Sequence, residues 1–168
     1  MDENLKTARE RLEALLEPDQ RVRAEGQVAP EAWAEQHALD RRNVAALSQI
    51  ARTHGWQTAK VFGEEAALAA LVLQHAPLTV QERYLPLLQA AAERGDVPQK
   101  QLAFLTDRIR LYRNEPQLYG TQLRPKKQTG RLELYPLLDA ATVDTRRDGL
   151  EPLGAYLAGF GLEPPADR

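Results

Sequence analysis

Cysteine is absent from the 168 residues, and serine occurs once, at Ser48. The first absence excludes disulfides, thiolate metal sites and thiol nucleophiles. The second leaves no Gly-x-Ser-x-Gly elbow, so serine hydrolase chemistry is nearly excluded as well. An excess of positive charge is also missing: 22 Lys+Arg stand against 24 Asp+Glu, a net charge of -2. Nonspecific wrapping of nucleic acid needs a strong positive field, so nucleic acid is not an expected partner. Long apolar runs are lacking; the longest, Ala66 to Leu73, falls far short of the roughly 20 residues of a membrane-crossing helix. The first residues, MDENLKTARERLEALLEP, have neither the basic start nor the apolar stretch of a signal peptide. The expectation is a cytoplasmic protein that does not enter membranes.

The length suits one domain, taken as residues 1–158 with a flexible tail over 159–168. Hydrophobic spacing predicts a mainly α fold: a single-domain bundle of about five to seven helices with a β-hairpin at about 117–135. Leu5, Ala8, Leu12 and Leu15 mark a first helix, and Pro18 opens a short second one. Pro30 opens a long helix ending near His54-Gly55, with Trp33, Val44, Leu47 and Ala51 on one stripe. Glu64 to Ala76 is apolar nearly all round, as a central helix is. Thr79 followed by Glu82 reads as a capping box for the next helix, which buries Tyr84, Leu88 and Ala91 and stops at Gly95. Asp96-Val97-Pro98 starts another, burying Leu102, Leu105, Ile109 and Tyr112. Gln117 to Arg124 and Arg131 to Leu134 read as strands, and Leu150 to Ala158 as a last helix.

Polar groups at positions where the period asks for apolar ones are the informative signal. Asp40 falls in the stripe of the long helix, with Asn43 a turn further, so a buried and paired carboxylate is expected there. Gln74 and His75 end the central helix, where an imidazole would serve as general acid or base; the structural alternative is a core histidine with an internal partner. Asp107 shares a helix side with Ala103, and Arg108 flanks the apolar stripe. Along the first strand, Gln117, Tyr119 and Thr121 would face one way and Gln122 the other, a polar wall beside Gly120. Arg146 and Arg147 offer guanidinium forks for carboxylate or phosphate. Charge is uneven: residues 1–40 carry ten acids and five bases, residues 107–147 nine bases and five acids. An anion is therefore expected on the second half.

Taken in order, Asp19-Gln20 with Arg23, Asp40 with Asn43, Gly55-Trp56, Gly63, Gln74-His75-Ala76, Leu105 with Asp107-Arg108, Gln117 with Tyr119-Gly120-Thr121-Gln122, and Val143-Asp144 with Arg146-Arg147, Gly149-Leu150 and Tyr156 form a chain of signatures. The set resembles a bacterial family of unknown function, domain of unknown function 6624, over roughly residues 12 to 157. Gln57 departs from it, since the family often has proline after Gly-Trp. The resemblance implies no activity. Its mostly polar signature implies one shared site rather than a set of packing positions.

Two functions compete at this level. In the first, an acid/base enzyme (hydrolase, lyase or transferase) acts on a small anionic substrate, with His75 as acid/base and Asp40 or Asp107 orienting it. Arg23, Arg108 or Arg146 would hold the anion, with Asp19, Gln20, Asn43, Gln74, Tyr119, Thr121 and Gln122 around the substrate. His75, Asp107 and Gln122 would then line one pocket. In the second, the same polar wall belongs to a non-catalytic module for a small ligand or a protein. No H-E-x-x-H or paired-His spacing occurs, so no metal ligands are assigned and the cofactor is left open. A protein partner or a homo-oligomer remains open at this level.

Overall fold

The computed structural model describes residues 10, 11, 13–15, 18, 30–54 and 72–165. The fold is mainly α with one two-stranded antiparallel hairpin. The chain divides into two compact units, Met1–Pro98 and Gln99–Arg168. No helix among the described residues is long and apolar enough to cross a membrane. Of the expected first helix, residues 10, 11 and 13–15 are helical; its other positions, residues 64–71 of the expected central helix, the Gly55-Trp56 and Gly63 signatures, and Asp19, Gln20 and Arg23 lie outside the described residues.

In the first unit, α1 spans Pro30–His54. Proline suits its first position, where the missing N–H has no helical partner to lose. Its buried line runs Gln36, Leu39, Asn43, Leu47, at steps of three and four residues. This corrects the placement of Asp40, which sits half-buried at the edge of that line and accepts a hydrogen bond from the Gln36 amide at 3.2 Å. Asn43, 3% exposed, donates to the carbonyl of Leu15 at 3.3 Å. Val72 and Leu73 are helical and buried, and the turn after them carries Gln74 and His75.

The second helix, α2, spans Leu78–Glu93 and buries Tyr84, Leu88, Ala91 and Ala92. Its N-cap is Pro77 and no side chain caps it, so the expected Thr79–Glu82 capping box is not formed. The reason is local. The N–H groups of Val80 and Gln81 both reach the Pro77 carbonyl, at 2.9 and 3.1 Å, so the helix begins before Thr79. Asp96 N donates to Ala91 O and Gly95 N to Ala92 O, closing the helix through a left-handed Gly95.

The second unit opens with α3, Gln99–Tyr112, which buries Ala103, Leu105, Asp107 and Ile109. Leu105 and Ile109 share one side, Ala103 and Asp107 the other, so both sides are covered. Tyr112, expected in the core, is 57% exposed because it falls in the last turn, just before Asn114 at φ 59 ends the helix. The hairpin is shorter than expected: β1 is Leu123–Pro125 and β2 is Leu132–Leu134, paired Leu123 to Leu134, Arg124 to Glu133 and Pro125 to Leu132. Residues 118–122 form a loop instead of continuing β1, because the N–H groups of 118, 119 and 121 go to the Asp107 carboxylate and that of Gln122 to the Gln117 amide oxygen, not to a neighbouring strand. Two short helices follow, α4 (Val143–Arg146) and α5 (Leu153–Ala158). Val143, Leu153 and Leu157 form a small core, with Leu123, Leu134, Leu137, Tyr156 and Leu162 packed on it. Leu162 N donates to Leu157 O at 3.0 Å, so the chain past α5 folds back onto that helix.

Gly120 sits in the loop at φ 69, and a Cβ built there would lie 2.8 Å from a Leu153 methyl and 3.2 Å from one of Leu137. Left-handed backbone and lack of space both require glycine. Gly120→Ala is expected to destabilise by about 2 kcal/mol or more, read as a lower urea midpoint. An unchanged midpoint would show that the loop can shift at no cost.

Candidate functional site

Asp107 is fully buried in the second unit, and its carboxylate organises the 117–122 loop. Oδ1 accepts from Leu118 N at 2.7 Å and Tyr119 N at 3.0 Å. Oδ2 accepts from Thr121 N at 3.0 Å and from the Thr121 hydroxyl at 2.9 Å. A buried carboxylate is tolerable only with such partners, because isolated desolvation would cost several kcal/mol.

The carbonyls of the same loop meet the opposite kind of group. Arg146 Nε donates to Leu118 O at 2.8 Å, the Arg147 guanidinium to Tyr119 O, and the Tyr156 hydroxyl to Thr121 O at 2.9 Å. Gln117, fully buried, donates from Nε2 to Gln122 O (3.1 Å) and Tyr135 O (2.9 Å) and accepts from Gln122 N at 2.9 Å. The segment is thus held along both hydrogen-bonding sides. Arg147 is 3% exposed; it also donates to Glu151 O at 2.7 Å and lies 5.2 Å from the Tyr156 ring centre. Burial lowers the Arg147 pKa, with Asp144 opposing that shift. Burial raises the Tyr156 phenol, with Arg147 opposing. Asp139 is held below the usual carboxylate range, mainly by the hydrogen bond from the Thr142 hydroxyl.

Of the sequence-predicted residues, Asp107, Arg108, Tyr119, Thr121, Gln122 and Arg146 therefore gather around one loop. Arg146 meets it as an internal donor, with further bonds to Thr142 Oγ1 and Asp139 O. Arg108 is half-buried and donates to Gln122 Oε1 at 3.3 Å. The Tyr119 ring is half-buried, and its hydroxyl has no hydrogen-bond partner among the described residues. Asp40, Asn43, Gln74 and His75 belong to the first unit. There His75 is half-buried, and the turn that carries it is clamped by Gln81, whose Nε2 donates to Ala76 O at 2.8 Å and Gln74 O at 3.2 Å.

Gln81 was legible only as the interior of a capping box. It is fully buried, and its Oε1 has no hydrogen-bond partner among the described residues. Its position three residues before Tyr84 on the buried face was the available signal. Gln117, Arg147 and Tyr156 stood out as signature residues but not as the frame of the loop, because their partners lie five to thirty-five residues away. A groove of about 810 Å³ in the second unit is lined by residues 134–141 and Pro165; it includes Tyr135 and Asp139, whose carbonyls accept from Gln117 and Arg146, and none of the sequence-predicted site residues.

The second-half signature thus maps onto one loop and its supports. A family model described as Family of unknown function (DUF6624) matches residues 7–162. The chain belongs to this family. No curated protein and no solved structure matches it. For this DUF6624 chain, the second-half signature Asp107-Arg108, Gln117, Tyr119 to Gln122, Arg146-Arg147 and Tyr156 is accounted for by the hydrogen bonds above.

Two measurements check this frame. Asp107→Asn would set an amide N–H₂ against backbone N–H donors and is expected to cost about 3 kcal/mol. Arg124→Ala, which breaks an exposed pair with Glu133, should cost under about 1 kcal/mol. Equal losses for the two would remove Asp107 from its central place. Tyr156→Phe should cost about 1 kcal/mol at neutral pH. Because burial holds the folded phenol above the ordinary tyrosine range, its stabilisation is complete below the unfolded pKa and is lost as pH rises through the folded one. The stability gap between wild type and Tyr156→Phe should therefore shrink in alkaline urea titrations; a gap that widens there contradicts the assignment.

Proposed function

We propose that this protein binds a small anionic ligand at the 117–122 loop, with Arg108 as the cation that holds the anion and Gln122 and Tyr119 as neutral contacts. The observation that carries this reading is the loop itself. Its backbone is held by a buried carboxylate, two guanidinium groups, a buried amide and a phenol. Loops fixed in this way serve as pre-organised contact surfaces, since no ordering cost remains when a ligand arrives. Asp107, Arg146 and Arg147 act as supports, which favours binding over acid/base chemistry at this loop. Arg108, half-buried, already donates to Gln122 Oε1, and its planar guanidinium has the geometry that suits carboxylate or phosphate.

A second reading, acid/base catalysis through His75 in a hydrolase, lyase or transferase, is favoured by one observation. The buried Gln81 Oε1 beside the Gln74–Ala76 turn is an acceptor without a donor among the described residues. Such orphans in native folds call for an explanation, and a substrate donor group would supply one.

Thermal shift and calorimetry with phosphate, sulfate, acetate and adenosine monophosphate test the first reading. At least one should raise the melting temperature. Arg108→Ala should weaken its binding about tenfold or more, the loss of one charged hydrogen bond, while Arg124→Ala leaves it unchanged. If all four leave the wild-type melting curve in place, the anion site fails. Turnover of a phosphate- or carboxylate-ester panel that is lost in His75→Gln, with anion affinity kept, would instead establish the second reading.

A further inference from the structure

The hairpin carries features that the loop does not use. Lys126 N donates to Arg131 O at 2.8 Å, and Tyr135 N to Gln122 O at 3.3 Å. Between these lies the pair Arg124–Glu133. Bonded and unbonded pairs alternate in an antiparallel ladder, so residues 131, 133 and 135 turn their backbone groups toward β1. Leu132 and Leu134 turn theirs the other way. The sheet has only the strands β1 and β2 among the described residues, and Leu132 is 40% exposed. The outer edge of β2 therefore presents two N–H and two C=O groups in strand geometry, at Leu132 and Leu134; past them Gln117 takes Pro136 O and Leu138 N on the same side. The β1 edge is blunted, since Pro125 has no N–H to offer.

Side-chain chemistry sorts by face. Leu123, Pro125, Leu132 and Leu134 share one face; Arg124, Lys126, Arg131 and Glu133 share the other. Glu133 is bound to Arg124 at 2.7 Å. Lys126, Lys127 and Arg131 are exposed and have no acidic partner among the described residues. At the end of β2 begins the 810 Å³ groove, lined in part by Leu134, Leu137, Leu138, Ala140 and Pro165, with Leu138 54% exposed.

We propose that β2 is a docking strand for an extended acidic segment of a partner protein, which joins the hairpin as a third strand. Edge addition draws affinity from main-chain bonds and specificity from alternate side chains. The matching segment alternates acidic residues, beside Arg131, with apolar ones, beside Leu132 and Leu134. Nucleic acid has no peptide groups to pair with the edge. A second copy of the chain would bring its own unpaired cations to the same place.

The test is fluorescence anisotropy with three labelled octapeptides: alternating Glu-Val, alternating Lys-Val, and Glu-Val with its valines N-methylated. The valines sit opposite Leu132 and Leu134, where the edge bonds form. The Glu-Val peptide should bind, more weakly as salt rises, and N-methylation should weaken it at least tenfold. Arg131→Glu, an exposed change, should weaken it at least fivefold, and Leu132→Pro should do the same by removing an edge donor. Arg108→Ala should leave it unchanged, which separates this surface from the anion site. Equal binding of Lys-Val, equal binding of the N-methylated peptide, or no binding of Glu-Val to the folded wild type up to millimolar concentration would each overturn the proposal. So would a dimer in sedimentation that Leu132→Pro abolishes, or a single-stranded oligonucleotide that binds in an Arg131-dependent way where Glu-Val does not.

Discussion

A full negative charge placed where no water reaches it is the constraint on which the second unit depends. Asp107 is 0% exposed and accepts from four donors, three of them backbone N–H groups of residues 118, 119 and 121. The dependence runs both ways. Without the loop the carboxylate would be an unpaired buried ion, and without the carboxylate three N–H groups would lack an acceptor. The same peptide stretch turns its carbonyls to Arg146, Arg147 and Tyr156. An anion on the donor side and cations on the acceptor side reinforce each other, since each polarises the peptide groups it bonds. Asp107 and Arg147 are thus linked through the Tyr119 peptide groups, one bonded to its N–H and the other to its C=O.

Much of the helical frame was legible in the sequence. Pro30 and the Asp96-Val97-Pro98 start signal mark helix beginnings because they act over one turn, and Gly95 marks an end for the same reason. Hydrophobic period placed Leu47, Leu88, Leu105 and Ile109 in the buried set. Where reading failed, another partner had displaced the expected one. Thr79 and Glu82 have capping-box spacing, yet the Pro77 carbonyl takes the first N–H groups. Gln117 to Gln122 alternates like a strand, yet a carboxylate eleven or more residues earlier takes the N–H groups of 118, 119 and 121. Asp40 missed the buried line by one position, because Gln36 and Asn43 shift that line by a fraction of a turn.

The candidate site was legible as composition and not as geometry. That Asp107, Thr121, Gln122 and Arg146 belong together followed from their polar character at unexpected positions. That several of them serve a backbone segment required knowing which groups are donors to which. Side-chain amides show the limit most clearly. Gln81 and Gln117 are both fully buried and both bond to main-chain carbonyls, but glutamine occurs on surfaces as readily as in such roles. One-dimensional pattern cannot separate the two.

The order in which the loop's partners appear along the chain has a consequence for synthesis. Asp107 precedes the loop, so the acceptor for its N–H groups leaves the ribosome first. The donors for its carbonyls, Arg146, Arg147 and Tyr156, come 28 to 35 residues after their partners. A nascent chain halted between them would hold the segment by one side only, its carbonyls still hydrated. The loop takes its final form only after α5 has been made, so its completion reports that the chain has been read through to that helix.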